Sequence, residues 1–243
     1  MQTLDILAFG AHPDDVELGA AGTLLLAVSE GKKVGIVDLT KGELGTRGTT
    51  SQRLKEAQLA SQVMGIGVRE NLGMSDGFFQ NNKENQFAII ETIRKYQPSI
   101  IFCNAPEDRH PDHGRASRLV VDAAFLSGLA KIQTTHNGVV QAPWRPTQVF
   151  HYIQSRYLTP NFVIDISPFM EKKMEAILAH SSQFFDPNST EPETFISGNA
   201  FLEFVKGRAK ELGHQIGVDY AEGFITQKLL GIRSFEAIIQ KTT

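Results

Sequence analysis

At 243 residues, with 41% hydrophobic and 21% charged, the chain has the composition of a soluble globular protein long enough to bury a core without disulfides. A net charge of −3 leaves no basic footprint for nucleic acid or an anionic membrane. The lone cysteine, Cys103, excludes an intramolecular disulfide and any multi-thiolate metal site, so a metal here must be held by His, Asp or Glu.

The first residues lack a basic region and reach Asp14 and Asp15 too early for a signal peptide. The longest apolar-rich stretch, residues 20–28, is far short of the roughly 20 residues of a membrane helix. With the single thiol, these features point to the cytoplasm.

Residues 4–11 form an apolar run that reads as a buried strand. Residues 19–30 are rich in Ala and Leu and stop at Gly31, a helix with a glycine cap. Residues 34–39 are β-branched and read as the next strand. Residues 41–50 are a Gly/Thr-rich loop. Thr49 and Gln52 have capping-box spacing and open a helix with Leu54, Ala57, Ser61 and Met64 on one face. Residues 65–80 are punctuated by glycines, with Asp76-Gly77 as a turn. A helix over 84–96, a strand over 99–103, a polar loop over 104–113 and a helix over 114–126 follow. In the second half, 147–153 and 161–166 read as strands, and 168–182 and 197–212 as helices, the last ending at Gly213. Strands alternating with helices predict one Rossmann-like α/β domain over 1–243. Its sheet is mainly parallel with helices on both faces, and the C-terminal part elaborates it.

Two loops share one vocabulary: His12-Pro13-Asp14-Asp15 and His110-Pro111-Asp112-His113. Each follows a predicted parallel strand, where open α/β sheets bind their ligands. His12 precedes a proline and should continue its strand outward, while Pro13 presets a turn. His12 and Asp15, three apart across that turn, can face one point. One imidazole from the second loop completes two histidines and a carboxylate, a catalytic zinc arrangement with an open fourth position. Asp14 is left beside the open position, where a general base should stand. His110 and His113 are both candidates for the third ligand; the other would serve as acid or oxyanion partner. Asp112 is placed to orient an imidazole.

These segments, with Thr40-Lys41-Gly42-Glu43-Leu44-Gly45-Thr46-Arg47-Gly48 and Tyr220-Ala221-Glu222-Gly223-Phe224, resemble the LmbE-like (PIG-L) zinc-dependent deacetylase family over nearly the whole chain. The motifs are most similar to its bacillithiol-pathway branch, which removes acetate from N-acetylglucosaminyl-malate; other branches act on chitin-type sugars or related thiol-sugar conjugates. The resemblance implies His12, Asp15 and His113 as Zn²⁺ ligands, with Fe²⁺ an alternative for this donor set. It implies Asp14 as general base, His110 as the residue that stabilises or protonates the tetrahedral intermediate, Arg53 as a substrate-binding residue and Asp76 as a sugar-hydroxyl acceptor. It also implies a homo-oligomer, with hexamers among the relatives. Some relatives carry a tyrosine where this chain has Asp108, so that tyrosine's role does not transfer.

Arg109, beside His110, is placed to meet a substrate carboxylate such as malate. Cys103, His136, His151, His180 and His214 read as packed or surface residues. Lys41 to Thr50 lacks P-loop spacing, and Gly10-Ala11-His12-Pro13 breaks the dinucleotide pattern. The rival from another class is a metal- or sugar-binding module without catalysis. Asp14 argues against it, because a pure binding site needs no base beside its metal.

Overall fold

In the computed structural model, which describes residues 3–186, 189–232 and 234–235, β1 (Ile6–Gly10), β2 (Val34–Thr40) and β4 (Ile100–Cys103) form the sheet centre. β1 and β2 are buried along their whole length, which explains their unbroken apolar sequences. Ile6 and Ala8 point to one face, against Val16, Ala20 and Leu24 of α1 (Asp15–Ser29). Leu7 and Phe9 point to the other, against α3 (Lys83–Tyr96) and α4 (Pro111–Leu126). Helices therefore cover both faces, with α2 (Thr50–Met64) joining α1 on its side through Met64.

Strand order is β3-β2-β1-β4-β7-β9-β8, with β3 (Val68–Met74), β7 (Gln148–Tyr152), β8 (Phe162–Asp165) and β9 (Ala221–Ile225). β9 runs antiparallel to both β7 and β8; all other pairings in this sheet are parallel. The chain winds outward from β1 through β2 to β3, then returns to place β4 on the opposite side of β1. The β1/β4 boundary is thus a topological switch point, and a crevice opens beyond the carboxyl ends of these two strands. A separate two-stranded ribbon pairs β5 (Thr135–His136) with β6 (Val139–Val140). The C-terminal elaboration adds α5 (Met170–Leu178) and α6 (Asn199–Ile216), which enclose a satellite core of Ile166, Met170, Ile177, Phe184 and Phe201. Among the described residues no helix is long and apolar enough to cross a membrane.

The structure departs from the sequence expectations at element ends. β3 lies within the glycine-punctuated 65–80 stretch, and β9 falls on a segment without a strand-like pattern. α1 begins at Asp15 and α4 at Pro111, earlier than expected, which puts Asp15 and His113 on first helical turns. The expected helix over 168–182 is a 3₁₀ turn followed by α5, which ends at Leu178. Gly213 does not end α6. It lies inside the helix where a Cβ would come within 2.7 Å of the Tyr220 nitrogen, and Gly217, in the left-handed region, is the cap. The capping-box expectation holds in part: Thr49 accepts from the Gln52 N–H, while the Gln52 side chain reaches forward to Glu56.

α1 crosses the sheet closely because it presents glycine. A Cβ on Gly19 would stand 2.2 Å from Tyr152 Cδ2, and Tyr152 is fixed by its hydroxyl bond to the Phe9 carbonyl. Gly19→Ala is expected to cost about 1–3 kcal/mol by overpacking. Urea unfolding should show the loss, and a midpoint equal to wild type would refute the close-approach account.

Candidate functional site

Both His-Pro-Asp loops emerge at the switch point and meet there. His12 leaves β1 and Asp15 starts α1; His110 caps the N-terminus of α4, and His113 sits in its first turn. The ring centroids of His12 lie 4.7 Å from His110 and 5.7 Å from His113. Nitrogens of the three imidazoles fall within 4.8 Å of one another. They line a cleft of about 240 Å³ with Asp14, Asp15, Arg53, Asp76 and Arg109.

Each of two histidines is anchored through one nitrogen and presents the other. His12 Nε2 meets Asp76 Oδ1 at 3.0 Å and Asp112 Oδ2 at 3.3 Å, and its Nδ1 stands 3.5 Å from Asp15 Oδ2. His113 Nδ1 meets Asp108 Oδ2 at 2.6 Å, and its Nε2 stands 3.1 Å from Asp15 Oδ1. A carboxylate fixing the far nitrogen is the arrangement metal-binding histidines use. The electrostatics agree. Burial pulls the affinity of His12 and His113 for protons down, but Asp15, Asp76, Asp108 and Asp112 outweigh it and raise both, His113 to about 9. Carboxylates crowded around two imidazoles form a site that favours positive charge, and its N/O donor set fits a divalent cation.

His110 differs. Among the described residues it has no carboxylate partner; its Nδ1 accepts the Asp112 backbone N–H at 3.3 Å, so in the neutral tautomer the proton sits on Nε2. Burial, and then the nearby His12 and His113, depress its basicity. Geometry thereby separates the two histidines that sequence left as alternatives.

Asp14 and Asp15 are neighbours with opposite fates. Burial pushes the Asp15 carboxyl up, but the charge of His113 and bonds from His113 and His12 hold it well below the usual range. Burial pushes Asp14 up to about 6, against the opposing charge of Arg53. Asp14 also has φ 129°, a region an L-residue occupies only under constraint, and such strain gathers at functional sites. Arg53, buried, supplies part of that constraint. Its Nη2 donates to Asp14 Oδ2 and the Pro13 carbonyl, and its Nη1 to the Gly42 carbonyl. Asp76, expected to accept a sugar hydroxyl, has its oxygens engaged by His12 and by the Leu44 N–H, so it ties the Gly/Thr-rich loop to the histidine. Asp112 does orient an imidazole, that of His12. Arg109 is exposed at the cleft rim, its guanidinium 4.2 Å over the Phe195 ring.

Residues 7–124, which include both His-Pro-Asp loops, match the profile of the family described as PIG-L, GlcNAc-PI de-N-acetylase. The chain belongs to the PIG-L family. It is 28% identical to "Diacetylchitobiose deacetylase" of Thermococcus kodakarensis, over 96% of this chain and 88% of that protein. It is 27% identical to "Probable N-acetyl-alpha-D-glucosaminyl L-malate deacetylase 2" of Bacillus anthracis, over 74% and 81%. The crystal structure of the conserved protein TT1542 from Thermus thermophilus superposes with a TM-score of 0.84 at 37% identity, over 95% of this chain and 98% of that one.

Around the PIG-L motifs stand residues that sequence reasoning missed. Asn104 Nδ2 and Gln154 Nε2 donate to Asp15 at 3.0 and 2.8 Å, and Asn104 Oδ1 accepts the Ala11 N–H. Asp108, in the sequence only a departure from tyrosine, fixes His113 and accepts the Ser155 and Arg156 N–H groups. Behind α1, buried Arg69 bridges Glu17 and Asp38, and His180 stands 3.2 Å from Glu17. His151 and Cys103 are buried together, as packed residues. Arg69→Met would leave two buried carboxylates without their cation. It is expected to lower unfolding free energy by about 3–5 kcal/mol in denaturant titration; a loss below about 1 kcal/mol would show that the carboxylates find other partners.

Proposed function

We propose that the chain is a metal-dependent deacetylase that hydrolyses the acetamide of an N-acetylglucosamine derivative, with N-acetylglucosaminyl-malate as its substrate. The observation that carries this reading is the pair of carboxylate-anchored imidazoles, His12 and His113, both turned toward Asp15 with Asp14 alongside. His12, Asp15 and His113 would hold the cation, Zn²⁺ or Fe²⁺. When bound, such a cation polarises a carbonyl and lowers the pKa of water.

The protein's own groups supply the rest. Asp14, buried and poised at about 6, takes the proton of the attacking water. Arg53 keeps that carboxylate aimed into the cleft. His110 presents its Nε2–H to the oxygen on which negative charge develops. The leaving nitrogen needs a proton to depart as an amine, and the carboxylic acid that Asp14 has become returns it. Acetate and a free amine are the products.

Arg109 supports an anionic group attached to the sugar. It lies exposed at the cleft rim, and its stack on Phe195 holds a planar donor with which a malate carboxylate would pair. The similarity to a diacetylchitobiose deacetylase along nearly the whole chain supports a second reading, deacetylation of chitin-type oligomers.

Acetate release from N-acetylglucosaminyl-malate, free N-acetylglucosamine and diacetylchitobiose should rank the malate conjugate first in kcat/KM; preference for diacetylchitobiose would install the second reading. Asp14→Asn should lower kcat by a factor of about 10²–10⁴ with metal content unchanged, and near-normal turnover would remove Asp14 from its role. Asp108→Ala frees the His113 ring and is expected to weaken Zn²⁺ binding about 10–100-fold in equilibrium dialysis. Undiminished binding would mean that His113 does not hold the metal.

A further inference from the structure

Beside the cleft lies a smaller cavity of about 30 Å³. Leu18, Gln154, Ser155 and Phe201 line both, so the two share a wall. Gln154 is the residue that donates to Asp15, and Ser155 follows it in the chain. The far wall belongs to α6, which turns Phe204, Val205 and Arg208 to the same side.

Arg208 is unlike the other sequestered cations. Arg53, Arg69 and Lys173 each pair with a carboxylate: Asp14, Glu17 with Asp38, and Glu222. Arg94 has none, but the Ser127, Leu129 and Ile132 carbonyls and Thr134 fill its donors. Arg208 stacks 4.5 Å over Phe204 and gives one bond, from Nη2 to the Ser155 carbonyl at 2.9 Å. Asp108 and Glu211 act on it only from farther off, and among the described residues it closes no ion pair. The rest of the cavity lining is apolar apart from Ser155, Gln154, which is engaged by Asp15, and the Lys173–Glu222 pair, which is satisfied internally. A half-sequestered guanidinium with open donors beside an apolar wall fits a small carboxylate with a short apolar tail.

We propose that this side cavity receives the acetate released in the cleft, its carboxylate on Arg208 and its methyl group against Leu18, Phe201 and Leu212. The inference rests on the deacetylase reading for the origin of the acetate, although not for the cavity's chemistry. The small volume favours a two-carbon acid over any part of a sugar conjugate. Holding acetate there clears the reacting centre for the next substrate. Arg208 is one bond from Ser155, whose N–H holds Asp108, which in turn fixes His113, so an occupied cavity also bears on the histidine.

The test is titration of the full-length protein with ¹³C-labelled acetate by NMR, before and after dialysis against EDTA. Binding that survives EDTA is expected. Arg208→Gln should weaken it about tenfold or more, the loss of a charge-assisted bond. Val205→Phe keeps the guanidinium and fills the space, and should weaken it as much. If both variants, folded by circular dichroism and thermal melting, bind acetate as wild type does, the proposal fails. If L-malate displaces acetate at lower concentration than acetate itself needs, the cavity serves a substrate carboxylate and the product assignment is overturned. The titration needs neither metal nor sugar, so it stands or falls separately from acetamide hydrolysis in the cleft.

Discussion

The carboxylate of Asp15 accepts the His12 N–H and Asn104 Nδ2 on one oxygen, and Gln154 Nε2 and His113 Nε2 on the other. Those donors come from the ends of β1, β4 and β7 and from the first turn of α4. One side chain thus joins three parallel strand ends and a helix across the switch point. The charge of His113, with hydrogen bonds from His113 and His12, keeps it ionised despite complete burial. The geometry of the cleft follows, because His12 and His113 are each pinned between this carboxylate and another behind them. Loosening Asp15 would take one anchor from both rings at once.

The same constraint explains how adjacent aspartates come to play different parts. Asp14 and Asp15 share burial and sequence context, so burial alone would raise both. Asp15, beside the charge of His113 and bonded by His113 and His12, falls; for Asp14 the opposing charge of Arg53 does not outweigh burial, and it rises. Two carboxyls whose environments drive them apart in this way are a common signature of divided labour at a hydrolytic centre. The histidines divide by the same logic: His113, backed by a carboxylate, holds a proton more tightly, and His110, whose Nδ1 accepts a backbone N–H, holds one less tightly.

The sequence made the sheet centre legible because burial on both faces writes itself as unbroken apolar runs, as in β1 and β2. It made α3 legible through an amphipathic stripe ending before Pro98. β3 stayed hidden because it is an edge strand, half-buried, with Gly73 near its end; β9 because Glu222 and Gly223 interrupt its apolar pattern. The His-Pro-Asp repeats exposed most of the cleft, since polar side chains three residues apart leave a spacing to read. Asn104, Gln154 and Asp108 leave none. Asn104 and Gln154 reach Asp15 across 89 and 139 residues of chain, and only folding gives them a partner. Arg53 and Asp76 were legible as cleft residues, but their bonds turn them toward Asp14 and His12.

Buried ions beneath α1 complete the account of why the cleft holds its shape. Glu222 accepts the Gly22 and Thr23 N–H groups, and Lys173 bonds both Glu222 and the Leu18 carbonyl. Leu18 and Gly22 stand four residues apart in α1, so the ion pair bonds the backbone of the helix itself. Glu17, Arg69 and Asp38 grip the same helix from another side. Buried pairs of this kind add little net stability over apolar packing, because desolvation offsets their attraction. They do make every displaced register expensive, since sliding α1 by one residue would strand charges on both sides. A helix fixed in this way can carry Asp14 in a strained conformation at its N-cap: relaxing that backbone would require moving α1, and the ion pairs oppose the move.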